Sequence, residues 1–240
     1  MNFRQVDARA DVANVVFRRI EHLLATKKTP VFALPAGSTP LPLYERLVDA
    51  TLHSKLPLGR ARFFALDEWW SESVPATATF RRFLLEYLLI PAGIPEDRLA
   101  SLPTTGDAGA TATAYEEAIS RAGGIDLAIL GIGGNGHVAF NEPGTPLDSL
   151  TGLRELTEKT RRANAYLFTG ESTVPTHGIT VGIGTIMAAQ TIVVMALGQG
   201  KASIVKQLRD SPVTKDLPAS ALKRHPAVEV IVDRLAGELL

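Results

Sequence analysis

Asn135, His137, Asn141 and Glu142 fall within eight residues of one glycine-dense stretch, Asp126 to Thr145, DLAILGIGGNGHVAFNEPGT. A histidine with a carboxylate five residues further on, joined by a turn able to fold back, suits proton transfer. The carboxylate fixes the imidazole tautomer through one ring nitrogen and leaves the other free to accept a proton. A lone histidine is more often structural, so Glu142 is what gives His137 its interest. No His-x-x-x-His pair accompanies it and the other histidines are scattered, which argues against zinc.

Three further places carry usable chemistry. Asp67 and Glu68 end the apolar run Phe63 to Leu66 and precede Trp69 and Trp70. One acid at a strand end in an apolar, aromatic setting is a candidate general base, because burial raises its pKa. Successive strand residues point opposite ways, so Asp67 and Glu68 are not expected to face each other. Leu34-Pro-Ala-Gly-Ser-Thr-Pro40 joins a strand to a helix, with Pro40 expected at the first helical position. The N–H groups of Ala36, Gly37, Ser38 and Thr39, the two hydroxyls and the helix dipole would converge on one phosphate. Lys201, in Gly198-Gln-Gly-Lys201, stands at a second helix entrance, where a cation opposes the dipole by a few tenths to about 1 kcal/mol unless an anion compensates.

The elements that must position these groups follow from periodicity. Apolar residues at helical spacing predict a helix over 11–24, and further helices are expected at 40–50, 79–89, 110–122 and 201–209. Buried-strand runs lie at 30–34, 62–66, 126–130, 178–182, 191–197 and 228–232. Such alternation predicts a single-domain α/β fold over residues 1–240, a mostly parallel, doubly wound sheet with helices on both faces. His137 then lies beyond a strand's carboxyl end, where such folds gather ligands. Gly131, Gly133 and Gly136 also spell G-x-G-x-x-G, yet Pro143 and Gly144 follow in place of an opening helix, so a dinucleotide site is not expected. The turn glycines Gly131, Gly133, Gly134 and Gly136 are expected to follow a path that a Cβ would resist.

Composition narrows the partners. The 240 residues are 45% hydrophobic, and 25 basic against 25 acidic residues leave no net charge and no long run of one sign. Neither nucleic acid nor an anionic membrane is suggested. The absence of cysteine excludes thiolate nucleophiles and disulfides, and a cytoplasmic protein without a signal peptide is the simplest expectation.

Taken in order, LPAGSTP (34–40), LDEW (66–69), LGIGGNGHVAFNEPG (130–144), TRRAN (160–164), GITVGIGTI (178–186), LGQGKA (197–202) and LPASALKRH (217–225) resemble the glucosamine-6-phosphate deaminase (isomerase) family. That family lies within the sugar-phosphate isomerase and phosphogluconolactonase fold group. The resemblance implies ammonia release from a 2-amino-2-deoxyhexose 6-phosphate with isomerisation to the ketose phosphate, without a cofactor. It implies that Asp67 moves the proton between C2 and C1, that His137 assists ring opening with Glu142 as partner, and that residues 36–39 and Lys201 bind phosphate; Glu68 and Gly136 are expected beside the substrate.

Three positions depart from the pattern. Asn135 stands where many members have aspartate, leaving a His-Glu pair held by an amide. Tyr166 stands where an arginine usually grips the phosphate, a task left to Arg161, Arg162 or another residue. LDEWW looks more like the galactosamine-6-phosphate branch. Residues 148–154 lack the arginine-rich pattern with which hexameric members bind an activator, so a monomer or small oligomer is expected. The alternatives are a lactonase of the same fold, with His137 activating water, and a non-catalytic sugar-phosphate sensor.

Overall fold

The computed structural model describes residues 1–53, 56–168 and 173–240. Its strands are β1 (Asn2–Gln5), β2 (Val31–Leu34), β3 (Arg62–Ala65), β4 (Asp67–Trp70), β5 (Leu99–Ala100), β6 (Leu127–Gly131), β7 (Gly152–Glu155), β8 (His177–Thr180), β9 (Thr191–Ala196) and β10 (Val228–Val232). The α-helices are α1 (Arg9–Thr26), α2 (Leu41–His53), α3 (Phe80–Leu84), α4 (Ala108–Arg121), α5 (Glu158–Ala163), α6 (Ile183–Met187) and α7 (Ala202–Asp210). Seven strands form a wholly parallel sheet in the order β1-β10-β9-β6-β2-β3-β5.

The sheet is covered on both faces because its strands send alternate side chains both ways. On one face Phe32, Phe63, Ile129, Val193 and Ile231 meet Val12, Val16 and Ile20 of α1 and Leu43 and Leu47 of α2. On the other, Val31, Ala33, Phe64, Ala128, Leu130 and Val194 meet Tyr115 and Ile119 of α4 and Ile204, Val205 and Leu208 of α7. Helix α1 has no side-chain N-cap, since Ala8 precedes it. Its stability comes from the buried stripe, where each large aliphatic side chain contributes about 1.5–3 kcal/mol.

A second sheet, not expected from the sequence, has the antiparallel order β4-β8-β7. The run expected as one strand to Leu66 leaves the parallel sheet after Ala65 and re-enters this small sheet at Asp67. Leu66 is the hinge: its N–H donates to Leu34 of the large sheet and its carbonyl accepts from Val181 beyond β8. Strand β7 and helix α5 occupy the stretch after Thr145 that showed no clear period. The helix expected over 79–89 is α-helical only to Leu84 and widens into a π turn at Leu85–Leu89.

Candidate active site

Strands β9, β6, β2 and β3 are neighbours in that order, so the loops leaving their carboxyl ends converge. They enclose a cavity of about 340 Å³ lined by residues 35–40, Leu66, Asp67, Phe80, the turn Gly131 to Gly134, His137, Phe140, Asn164, Tyr166 and Lys201, among others. Asp67, His137, Ala36, Gly37, Ser38, Thr39 and Lys201 are thus brought together, although they span 166 positions of the sequence from first to last. Asn135, Gly136, Glu68 and Glu142 stand behind that lining.

Asp67 is a buried residue, 8% exposed. Burial first, and the Glu68 charge second, push its pKa up to about 8. The two acids do point apart. Glu68 is almost fully buried and accepts the N–H groups of Trp69 (2.9 Å), Phe80 (3.0 Å) and Arg81 (3.0 Å). Burial raises Glu68 to about 7 against the opposing pull of those three N–H donors. Glu68 is therefore a tie between β4 and the start of α3, and it does not line the cavity although it was expected beside the substrate. Trp69 is core: its indole N–H donates to the Ala78 carbonyl and its ring packs on Phe80, Phe140 and Phe168. Phe80 and Phe140 reach the cavity from this aromatic cluster.

His137 and Glu142 meet as their spacing suggested, with Nδ1 3.5 Å from Oε2. Thr160 Oγ1 lies 3.2 Å from the same ring nitrogen. A neutral imidazole that donates from Nδ1 leaves Nε2 as its acceptor. Asn135 is a clamp: its amide donates to Glu142 at 2.6 Å and its carbonyl accepts the His137 N–H at 3.2 Å. Thr157 adds a hydroxyl to Glu142 at 3.2 Å. Burial pushes Glu142 upward, but the hydrogen bonds and charge of His137 and the bonds from Thr160 and Asn135 outweigh it, holding the carboxyl below its ordinary range. Asn141, grouped with these residues by sequence, instead donates to Val138 and Val181 within the core.

The turn glycines divide by role. A Cβ on Gly133 would lie 2.4 Å from His137 Nε2, so that glycine seats the imidazole. Gly136 has φ +84° and Leu217 pressed against its Cα, leaving no room for a side chain. Gly131 has an ordinary φ and open space, and the nearest atoms to a Cβ on Gly134 would be those of Lys159 at 3.6 Å, so the expected resistance to a Cβ does not apply there. After Gly136 the chain forms a tight turn bridged between Val138 and Asn141, with Ala139 at φ +49°. No helix opens, in keeping with the exclusion of a dinucleotide turn.

On the opposite wall the N–H groups of Ala36, Gly37, Ser38 and Thr39 find no backbone acceptor among the described residues. Pro40 precedes the helix instead of beginning it, and its carbonyl accepts the Tyr44 N–H. Lys201 precedes α7, its Nζ 2.8 Å from the Ile132 carbonyl. Burial and the nearby Lys159 lower its pKa. Lys159 Nζ lies 3.0 Å from the Gly134 carbonyl, a second cation that sequence reading missed. Neither Arg161, bound to the Val174 carbonyl, nor Arg162, paired with Glu158, lines the cavity. Tyr166 does, at its exposed rim. Thr157, Lys159 and Thr160 were missed because β7 and α5 lacked a clear period; a threonine cap three residues before another threonine was the available signal.

One cavity thus holds N–H groups without backbone acceptors and a lysine together with a buried carboxyl and a carboxylate-supported imidazole, a set of groups suited to an α/β enzyme for a small phosphorylated substrate. The chain belongs to the glucosamine-6-phosphate isomerase/6-phosphogluconolactonase family, which matches residues 4–232. Glucosamine-6-phosphate deaminase of Beutenbergia cavernae is 41% identical over 96% of this chain and 89% of its own, and that of Bacillus pumilus is 34% identical over the whole of both. The solved structure of a monomeric glucosamine-6-phosphate deaminase of the NagB superfamily superposes with a TM-score of 0.95 at 29% identity, covering all of both chains. A 6-phosphogluconolactonase from Trypanosoma cruzi shares the fold, with a TM-score of 0.76 at 21% identity over 100% of this chain and 96% of its own.

Proposed function

We propose that this protein converts glucosamine 6-phosphate and water to fructose 6-phosphate and ammonia. The observation that carries the reading is a buried, uncompensated carboxyl and a carboxylate-supported imidazole sharing one cavity with a wall of free N–H groups. The substrate's phosphate lies on the N–H groups of residues 36–39 at the start of α2, with Lys201 and Lys159 supplying the charge that an arginine at the Tyr166 position would otherwise bring. The sugar then extends towards Asp67 and His137.

His137 Nε2 accepts the proton of the anomeric hydroxyl and returns it to the ring oxygen as the C1–O5 bond breaks, giving the open aldehyde. Ionised Asp67 removes the C2 proton; the electron pair forms C1=C2 and O1 takes a proton from the substrate's own 2-ammonium group, giving a neutral enolamine. Asp67 returns its proton to C1, and the resulting C2 iminium is hydrolysed by water to the ketone and ammonia. A base raised to about 8 is stronger than an ordinary carboxylate, and Phe80 and Phe140 keep its surroundings apolar. Asn135 and Glu142 hold the imidazole in the accepting tautomer.

Residues 1–240 form one domain in this reading, acting in the cytoplasm as a monomer or small oligomer. No helix among the described residues is long and apolar enough to cross a membrane. The test is ammonia release from glucosamine 6-phosphate and galactosamine 6-phosphate in parallel, with hydrolysis of 6-phosphogluconolactone as a third arm. Ammonia from glucosamine 6-phosphate is expected. Release from galactosamine 6-phosphate alone would move the substrate to the other epimer, and lactone hydrolysis without ammonia would overturn the reading.

A further inference from the structure

A cavity of about 420 Å³ lies at the opposite end of the large sheet, lined by Arg4, Val15, Arg18, Arg19, His22, Leu23, Leu127 and Thr191. Leu127 and Thr191 are the first residues of β6 and β9, whereas the active site lies beyond the last residues of the same strands. The two sites are therefore separated by the thickness of the sheet along its strands. We propose that this cavity is a second anion-binding site, for a small phosphate-bearing ligand with an apolar portion, separate from the catalytic one.

The charge is one-sided inside the cavity. Three guanidinium groups and an imidazole line it, and no acid among the described residues does. Glu229, on β10 beneath, is paired with Arg19. Asp7 and Asp11 line only an adjoining hollow that shares Arg4, Val15 and Arg18, and neither reaches ion-pair distance of those arginines. The Asp11 carboxylate is engaged with the Ala8 N–H. Beyond the mouth, Asp126 is paired with Lys27. Among the described residues Arg4 and Arg18 thus have no ion-pair partner, Arg18 donating only its Nε–H to the Asn14 carbonyl at 3.4 Å, in a chain whose total charge is zero.

Arginine is the side chain suited to an oxyanion, because its planar fork offers two parallel N–H donors to one phosphate. Arg4 projects from edge strand β1, while Arg18, Arg19 and His22 sit on one side of α1, so donors approach from two elements. The floor differs: Val15, Leu23 and Leu127 are apolar, with the Thr191 hydroxyl among them. Cations at a rim over an apolar floor suit a ligand with an anionic end and an uncharged body, and a concave wall of one sign concentrates the field that attracts it.

Calorimetric titration with inorganic pyrophosphate separates the two sites. Lys201→Ala weakens binding at the catalytic cavity, so the part of the remaining binding that is lost when Arg4 and Arg18 are also removed reports the second site. Combining Lys201→Ala with Arg4→Ala and Arg18→Ala is expected to weaken the remaining binding at least about tenfold, or about 1.4 kcal/mol. Added salt should weaken it too. Both arginines are exposed, so Arg4→Ala/Arg18→Ala alone should keep the wild-type melting temperature and catalytic rate. The proposal is overturned if Lys201→Ala abolishes all pyrophosphate binding, or if the triple variant binds within twofold of Lys201→Ala.

Discussion

Asp67 shows how its surroundings raise the basicity of one carboxyl, which fits it for the proposed role of base. Glu68, its neighbour in sequence, collects three N–H donors, while among the described residues Asp67 gains only burial and a like charge. Asp67→Asn is expected to lower kcat by about 10²–10⁴-fold while the substrate still binds, as the loss of a general base should. Steady-state kinetics with a direct binding measurement checks this, and equal turnover would remove Asp67 from its role. Lys201→Ala should instead act mainly on KM. Gly133→Ala carries a sharper expectation: the methyl would occupy the place of the imidazole edge, so kcat should collapse while circular dichroism stays that of wild type. Normal turnover in that variant would show that the His137 position is not catalytic.

Turns between elements decide which residues share the cavity. The Val138 to Asn141 turn returns Glu142 to His137, and it does so through Ala139 at φ +49°, a backbone costly for a side chain with Cβ. Ala139→Val should destabilise the protein by about 1–3 kcal/mol, since a branched side chain tolerates that region least. Ala139→Gly should stay within about 1 kcal/mol of wild type, relief of strain being offset by a more flexible unfolded chain. Urea unfolding distinguishes the two. The hinge at Leu66 acts similarly for Asp67: by passing the chain from the parallel sheet to the small one, it turns the acid into the cavity and Glu68 towards α3. A hydrophobic run ending in Asp-Glu was readable, but the change of sheet was not, because it depends on the Leu34 carbonyl that accepts from Leu66 and the Val181 N–H that donates to it, both distant in sequence.

Across the whole molecule, the raised Asp67 pKa couples activity and stability to pH in opposite directions. The folded protein holds the Asp67 proton up to about 8, against 3.8 for the ordinary group. Its contribution to stability is therefore complete below about 4 and is lost as pH rises through about 8. Asp67→Asn, which does not titrate, should melt higher than wild type at pH 9, and that gain should vanish at pH 4. The kcat/KM of the wild-type enzyme should rise with pH to about 8 as the base ionises; thermal melts and a pH-rate profile measure both effects. By itself the sequence determined the parallel α/β architecture, since continuous apolar runs and 3.6-residue stripes follow from short-range periodicity. It also marked the turn at residues 34–40, Asp67 and the His137–Glu142 pair, each legible because its residues lie within a few positions of one another. Tertiary structure alone decided the small antiparallel sheet, the ties that make Glu68 and Asn141 structural, the roles of Thr160 and Lys159, and the arginine-lined cavity at the far end. These depend on pairings between segments tens to more than two hundred residues apart, which periodicity does not encode and only the closed packing of the sheet imposes.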